Sequence, residues 1–126
     1  MSVNSNLNTP KSNQSVTIVR KPTVVLSVVL GTTTPTNATE IDYRHAAAGR
    51  VIVTSSDVTG TTINWWEAFE PGGTYVQCYN GGTIVTSTLP GGAASCEIPA
   101  ALAGSMFLKM SMNADQGETV TVVLKA

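Results

Sequence analysis

Only one stretch of the chain gathers titratable side chains closely enough to raise the question of catalysis: Glu40, Asp42, Arg44, His45 and Arg50, around the single histidine. A histidine beside carboxylates is general-base chemistry. Nucleophilic catalysis also needs a placed nucleophile and an oxyanion site, and no nucleophile elbow or comparable motif accompanies this cluster. In an extended segment Glu40, Asp42 and Arg44 fall on one face, so they read as a surface ion-pair ladder with a structural or interface role. Cys78 and Cys96 are the only cysteines. With no CxxC and one distant histidine they do not form a zinc set. A disulfide and a pair of buried thiols both fit their positions, and a reducing cytoplasm favours the thiols. Glycine pairs beginning at positions 72, 81 and 91 lack the GxGxxG or GxxxxGK[ST] context of a phosphate loop. The sequence therefore predicts no catalytic residue, no cofactor and no metal.

What remains is contact chemistry. Trp65 and Trp66 are neighbours, and successive strand residues point to opposite faces, so the two indoles cannot enter the same core. Trp65 is the expected core residue, sharing its face with Ile63 and Phe69. Trp66 is expected on the other face with Thr62, Asn64 and Ala68, covered by a loop of this chain, by a protein or by a sugar. Interface candidates are Trp66, Asn64, Tyr75 and Tyr79 from this stretch, Arg44 and Arg50 from the charged cluster, and Val3 and Leu7 near the N-terminus.

The elements that must position these residues are strands. Thr61 to Asn80, TTINWWEAFEPGGTYVQCYN, reads as a hairpin around the turn Glu70-Pro71-Gly72-Gly73, because Pro presets the first corner and Gly supplies positive φ. Before it, Ser15 to Arg20 alternates, Pro22 breaks the ladder, and Thr23 to Leu30 sets Val24, Leu26, Val28 and Leu30 on one face. Glu40 to Arg44 is a short strand, His45 to Gly49 a turn or one helical turn, and Arg50 to Thr54 a strand with Val51 and Val53 inward. After the hairpin, Thr74 to Tyr79 continues the sheet, Asn80-Gly81-Gly82 turns, and Thr83 to Thr88 returns. Pro99 to Gly104 is one helical turn. Ser105 to Met112 places Met106, Leu108, Met110 and Met112 on the core face, and Glu118 to Lys125 turns Val120, Val122 and Leu124 inward. Residues 1–14 have the composition of an N-terminal arm, and residues 15–126 form one domain. The fold class is all-β: an antiparallel sandwich, with a jelly roll as one form of it, fronted by an extended arm.

Composition bounds the partners. Among 126 residues 42% are hydrophobic and only 12% charged, about half the usual charged share, with a formal net charge of −1. There is no basic field for a nucleic acid backbone. The apolar run from Thr23 to Leu30 is too short for a membrane span, and no secretory signal pattern is evident. Asn37-Ala38-Thr39 fits a glycosylation sequon, read as coincidental in a loop. A neutral, Thr-rich surface is what an assembled subunit can afford to show its neighbours.

Residues 50–126 also carry a resemblance. WWEAFEPGGTYVQCYN, then TSTLPGG and EIPAALAGSMFLKMSMNADQGETVTVVLKA, resembles the C-terminal part of small proteins encoded among the virion structural genes of tailed bacteriophages. There a strand, a PGG turn, a Tyr-containing strand, an IPAALAG-like turn and a terminal VTVVLK strand follow in the same order. The resemblance implies a capsid cement or decoration protein, made in the host cytoplasm and located on the capsid surface of the virion. It would contact the major capsid protein and itself, as a homo-oligomer with a trimer favoured, and bind neither nucleic acid nor membrane. It supplies no catalytic residues. The alternative in the same fold class is a carbohydrate-binding or receptor-binding module using Trp66, Tyr75 and Tyr79.

Overall fold

The computed structural model describes residues 23–54, 62–89, 94–112 and 118–126. The arm with Val3 and Leu7 and the alternating segment 15–20 lie outside the described residues, as do residues 55–60, 90–93 and 113–117. The chain is all-β: β1 (Thr23–Val29), β2 (Ile41–Asp42), β3 (Ala48–Val53), β4 (Thr62–Ala68), β5 (Val76–Gln77), β6 (Tyr79–Asn80), β7 (Thr83–Ile84), β8 (Thr86–Thr88), β9 (Ala94–Glu97), β10 (Phe107–Met112) and β11 (Thr119–Lys125). A 3-10 turn at Ala100–Leu102 follows Pro99, where a proline costs no hydrogen bond.

Two antiparallel sheets carry the structure. One runs β1-β11-β3-β9; the other runs β2-β10-β4-β5, with β8 also paired to β4. β6 and β7 form a small separate hairpin. The apolar alternation of each long strand decides which face is buried. Val120, Val122 and Leu124 of β11 and Val51 and Val53 of β3 meet Ile63 and Trp65 of β4 and Leu108, Met110 and Met112 of β10 in one core. Each such side chain removed from water contributes roughly 1.5–3 kcal/mol. Trp65 is fully buried, and its indole N–H donates to Ser87 Oγ at 3.0 Å.

The central hairpin forms as expected. β4 pairs with β5, Trp66 opposite Gln77, and Gly73 N donates to Glu70 O at 3.1 Å across the turn. Gly72 stands at φ 66°, the third position of a turn with proline second, which is the type II signature.

Five expectations need correction. Ala48 and Gly49 begin β3 rather than ending a helical turn. Gly49 is buried where a Cβ would lie 2.6 Å from Ile98 Cδ1 and 2.9 Å from Leu124 Cδ2, so the glycine answers to packing and not to a turn. The strands expected over 74–79 and 83–88 are each interrupted, at Cys78 and Val85, which turn into the core. There Val85 N donates to Cys78 O and Cys78 N to Trp65 O, both at 2.9 Å. Phe69 is 77% exposed and Ala68 buried, because β4 ends at Ala68 and strand alternation ends with it. Met106 is 46% exposed for the same reason, standing one residue before β10. Val24 is also 46% exposed, since β1 is an edge strand with its inward face only partly covered.

Candidate interaction site

Cross-strand register places Asn64, Trp66 and Ala68 of β4 beside Ser111, Lys109 and Phe107 of β10, all on the face turned away from the core. Gln77 extends this face on β5, and Asp42 extends it on β2. Trp66 is half-buried, and its indole N–H donates to Ser111 Oγ at 2.9 Å, which leaves Ser111 with no exposed surface. Gln77 Nε2 donates to Asn64 Oδ1 at 3.5 Å. Lys109 Nζ sits 4.7 Å from the centroid of the Tyr75 ring, and Arg44 Cζ lies 4.9 Å from that of Phe107. In each pair a cation lies over the negative face of a ring, an attraction that the surrounding water weakens most for the exposed Arg44 guanidinium.

Glu40 ties this face to the central turn. Its Oε2 accepts from Tyr75 Oη at 2.6 Å and from Gly72 N at 2.8 Å. The two donors, the phenol first, hold the carboxyl below its ordinary range. Burial and then the same hydrogen bond push the Tyr75 phenol up. The expected ladder of Glu40, Asp42 and Arg44 thus divides, with Glu40 clamping the turn while Arg44 Nη2 pairs with Asp42 Oδ2 at 2.7 Å. The Arg44 hydrogen bonds lower the Asp42 carboxyl to about 2. Both partners are nearly half exposed, so the pair is worth little to stability.

The candidates are therefore only partly brought together. Trp66, Asn64, Tyr75 and Arg44 share one outer face. Tyr79 lies on the β6–β7 hairpin, opposite Ile84, both exposed. Arg50 lies on the outward face of the other sheet, where its Nε donates to Ser95 Oγ at 3.0 Å. Cys78 and Cys96 are free thiols. Burial, reinforced by Glu67, pushes the Cys78 thiol up to about 12. Among the described residues, no group of three or more His, Cys, Asp or Glu is placed to hold a metal ion, and no helix is long and apolar enough to cross a membrane.

A second surface had no counterpart in the sequence reading. Phe69, Val76 and Met106, respectively 77%, 57% and 46% exposed, line a cleft of about 480 Å³ together with Glu67, Ala68, Thr74 and Gly104. The cleft opens where β4 ends and β10 begins, beside β5 at the sheet edge. The signal available in the sequence was the turn beginning at Glu70, which fixes the end of β4 and so releases Phe69 from strand alternation. Comparison of the chain with protein-family models, with curated proteins and with solved structures finds no match.

Proposed function

We propose that the chain is a non-enzymatic virion structural protein of a tailed bacteriophage, a capsid cement or decoration protein that stabilises the head shell by contacting the major capsid protein and other copies of itself. The observation that carries this reading is the exposed Phe69–Val76–Met106 cleft on a chain with few charges. Monomers rarely leave such apolar groups together in water, and aromatic anchors dominate protein interfaces. The outer face supports contact rather than sugar stacking. The Tyr75 ring already carries Lys109, and its hydroxyl is engaged by Glu40, so its polar groups need no glycan.

Co-sedimentation of the purified protein with candidate capsid shells tests the reading. Phe69→Ser is expected to abolish shell occupancy while leaving the melting temperature unchanged, since Phe69 buries little in the free protein. Trp66→Ala is expected to weaken occupancy as well, but at a cost in stability, because the indole covers Ser111. Full occupancy by Phe69→Ser would overturn the assignment of this cleft. Tryptophan emission shifts on a glycan panel, with no shell binding, would transfer the role to a carbohydrate-binding module.

A further inference from the structure

The four-stranded sheet ends in β1, and among the described residues no strand pairs with its outer edge. Leu30 N donates to Glu118 O at 2.7 Å, one step beyond the Val29–Thr119 pair of the β1–β11 register. Antiparallel ladders alternate, so Val28, Leu26 and Val24 also turn their peptide groups toward β11, while Val29, Ser27, Val25 and Thr23 turn theirs away. Val29 is satisfied by Thr39, whose N donates to Val29 O and whose Oγ1 accepts from Val29 N, both at 2.9 Å. Thr23, Val25 and Ser27 have no such strand or loop partner among the described residues.

Natural edges are blunted by charges, prolines or bulges. Thr23–Val29 contains no charged residue and no proline, and it pairs with β11 without interruption. Val25 is 65% exposed and Val24 46%. We infer that this edge is a self-association site, onto which a second copy of the chain adds its own β1 antiparallel, about a two-fold axis through Val25.

The sequence of the edge selects that occupant and that register. Read against itself about Val25, Thr23-Val24-Val25-Leu26-Ser27 sets Thr23 opposite the partner's Ser27, Val24 opposite the partner's Leu26, and Val25 opposite the partner's Val25. Hydroxyl meets hydroxyl and aliphatic meets aliphatic on both faces. A centre at Ser27 would demand the Val29 groups that Thr39 already occupies. A centre at Thr23 would leave Val25 and Ser27 beyond the start of the partner's β1 and lose the match. The Val25 centre alone engages all three open residues, joining two four-stranded sheets into one continuous sheet of eight. An isologous contact of this kind closes as a dimer. It deepens the self-association part of the proposed role, with a two-fold axis in place of the threefold expected from sequence, and gives each particle two capsid-facing clefts.

The test uses the full chain. Light scattering across a concentration series is expected to show a monomer–dimer equilibrium. Val25→Pro removes an outward N–H and none of those that β1 donates to β11, and Val25→Lys sets like charges across the axis. Each should weaken dimerisation about tenfold or more without altering the far-ultraviolet spectrum. Because residue 25 faces itself at the roughly 5.5 Å Cα spacing of a hydrogen-bonded pair, Val25→Cys in a Cys96→Ser background should oxidise to a covalent dimer. Val24→Cys, which faces Leu26, should not. A parent protein that stays monomeric overturns the inference, whether its edge amides exchange freely or are protected by residues 1–22 of the same chain. So does a dimer indifferent to both Val25 substitutions. A Val25-dependent dimer that ignores capsid shells would remove the cement role and leave the edge contact standing.

Discussion

Replacing Glu40 by Gln keeps the shape of the side chain and removes its charge, which isolates the clamp between β2 and the central turn. The carboxylate accepts two hydrogen bonds, from Tyr75 Oη and Gly72 N. A bond to a charged group contributes about 1.5–3 kcal/mol and a neutral one about 0.5–1.5, so losing charge assistance in both, at a half-buried site, costs roughly 1–2 kcal/mol. With an unfolding entropy of about 2.1 cal/mol/K per residue, a chain of 126 residues loses about 4–8 °C in Tm. The pH dependence carries the sharper test. The folded-state pKa of Glu40 lies below its ordinary value of 4.5, so its contribution is complete above about that pH and disappears as pH falls through the lower folded value. Thermal melts of the parent and Glu40→Gln should therefore differ by a constant amount near neutrality and converge in acid. Asp42, lowered to about 2, gives both proteins the same additional acid slope and cancels in the comparison. An unchanged Tm at neutral pH, or a deficit that persists undiminished in strong acid, would refute the clamp.

Three further outcomes follow from packing and burial. Gly49→Ala drives a Cβ to 2.6 Å from Ile98 Cδ1 and 2.9 Å from Val123 O, so denaturant unfolding should show a loss of about 1–3 kcal/mol. Ser111→Ala removes the acceptor of the Trp66 N–H from a position with no exposed surface; a loss of about 1 kcal/mol, with altered indole emission, is expected in the same assay. Ellman's reagent at mildly alkaline pH should leave Cys78, 1% exposed with its thiol pushed up to about 12, unlabelled until the protein unfolds.

Local chemistry made part of the fold legible. The alternation of TVTVVLK gives β11 its buried face without reference to the rest of the chain, and Pro71-Gly72 specifies a turn by the backbone angles those residues favour. Gly49 was not legible in the same way. A glycine after His45-Ala46-Ala47-Ala48 looks like a helix stop, whereas its cause is the approach of Ile98 and Leu124, distant in sequence. Cys78 and Val85 likewise divide their strands because each dips into the core, a choice made by Trp65 and its surroundings.

The candidate site shows the same division, with a consequence for where contact occurs. Residues chosen for their chemistry, Trp66 and Tyr75, stand in mid-sheet or beside it, and neighbouring strands satisfy them through Ser111, Glu40 and Lys109. Residues assigned to the core by alternation, Phe69 and Met106, lie just outside β4 and β10, and both side chains are left exposed there. Val24 is left half-covered because β1, among the described strands, has a neighbour on one side only. A sheet hides apolar surface wherever it has a next strand, so what it leaves exposed collects at its ends and edges. The apolar end at Phe69 and the neutral edge at Val25 are therefore the surfaces on which partners of this chain should be sought first.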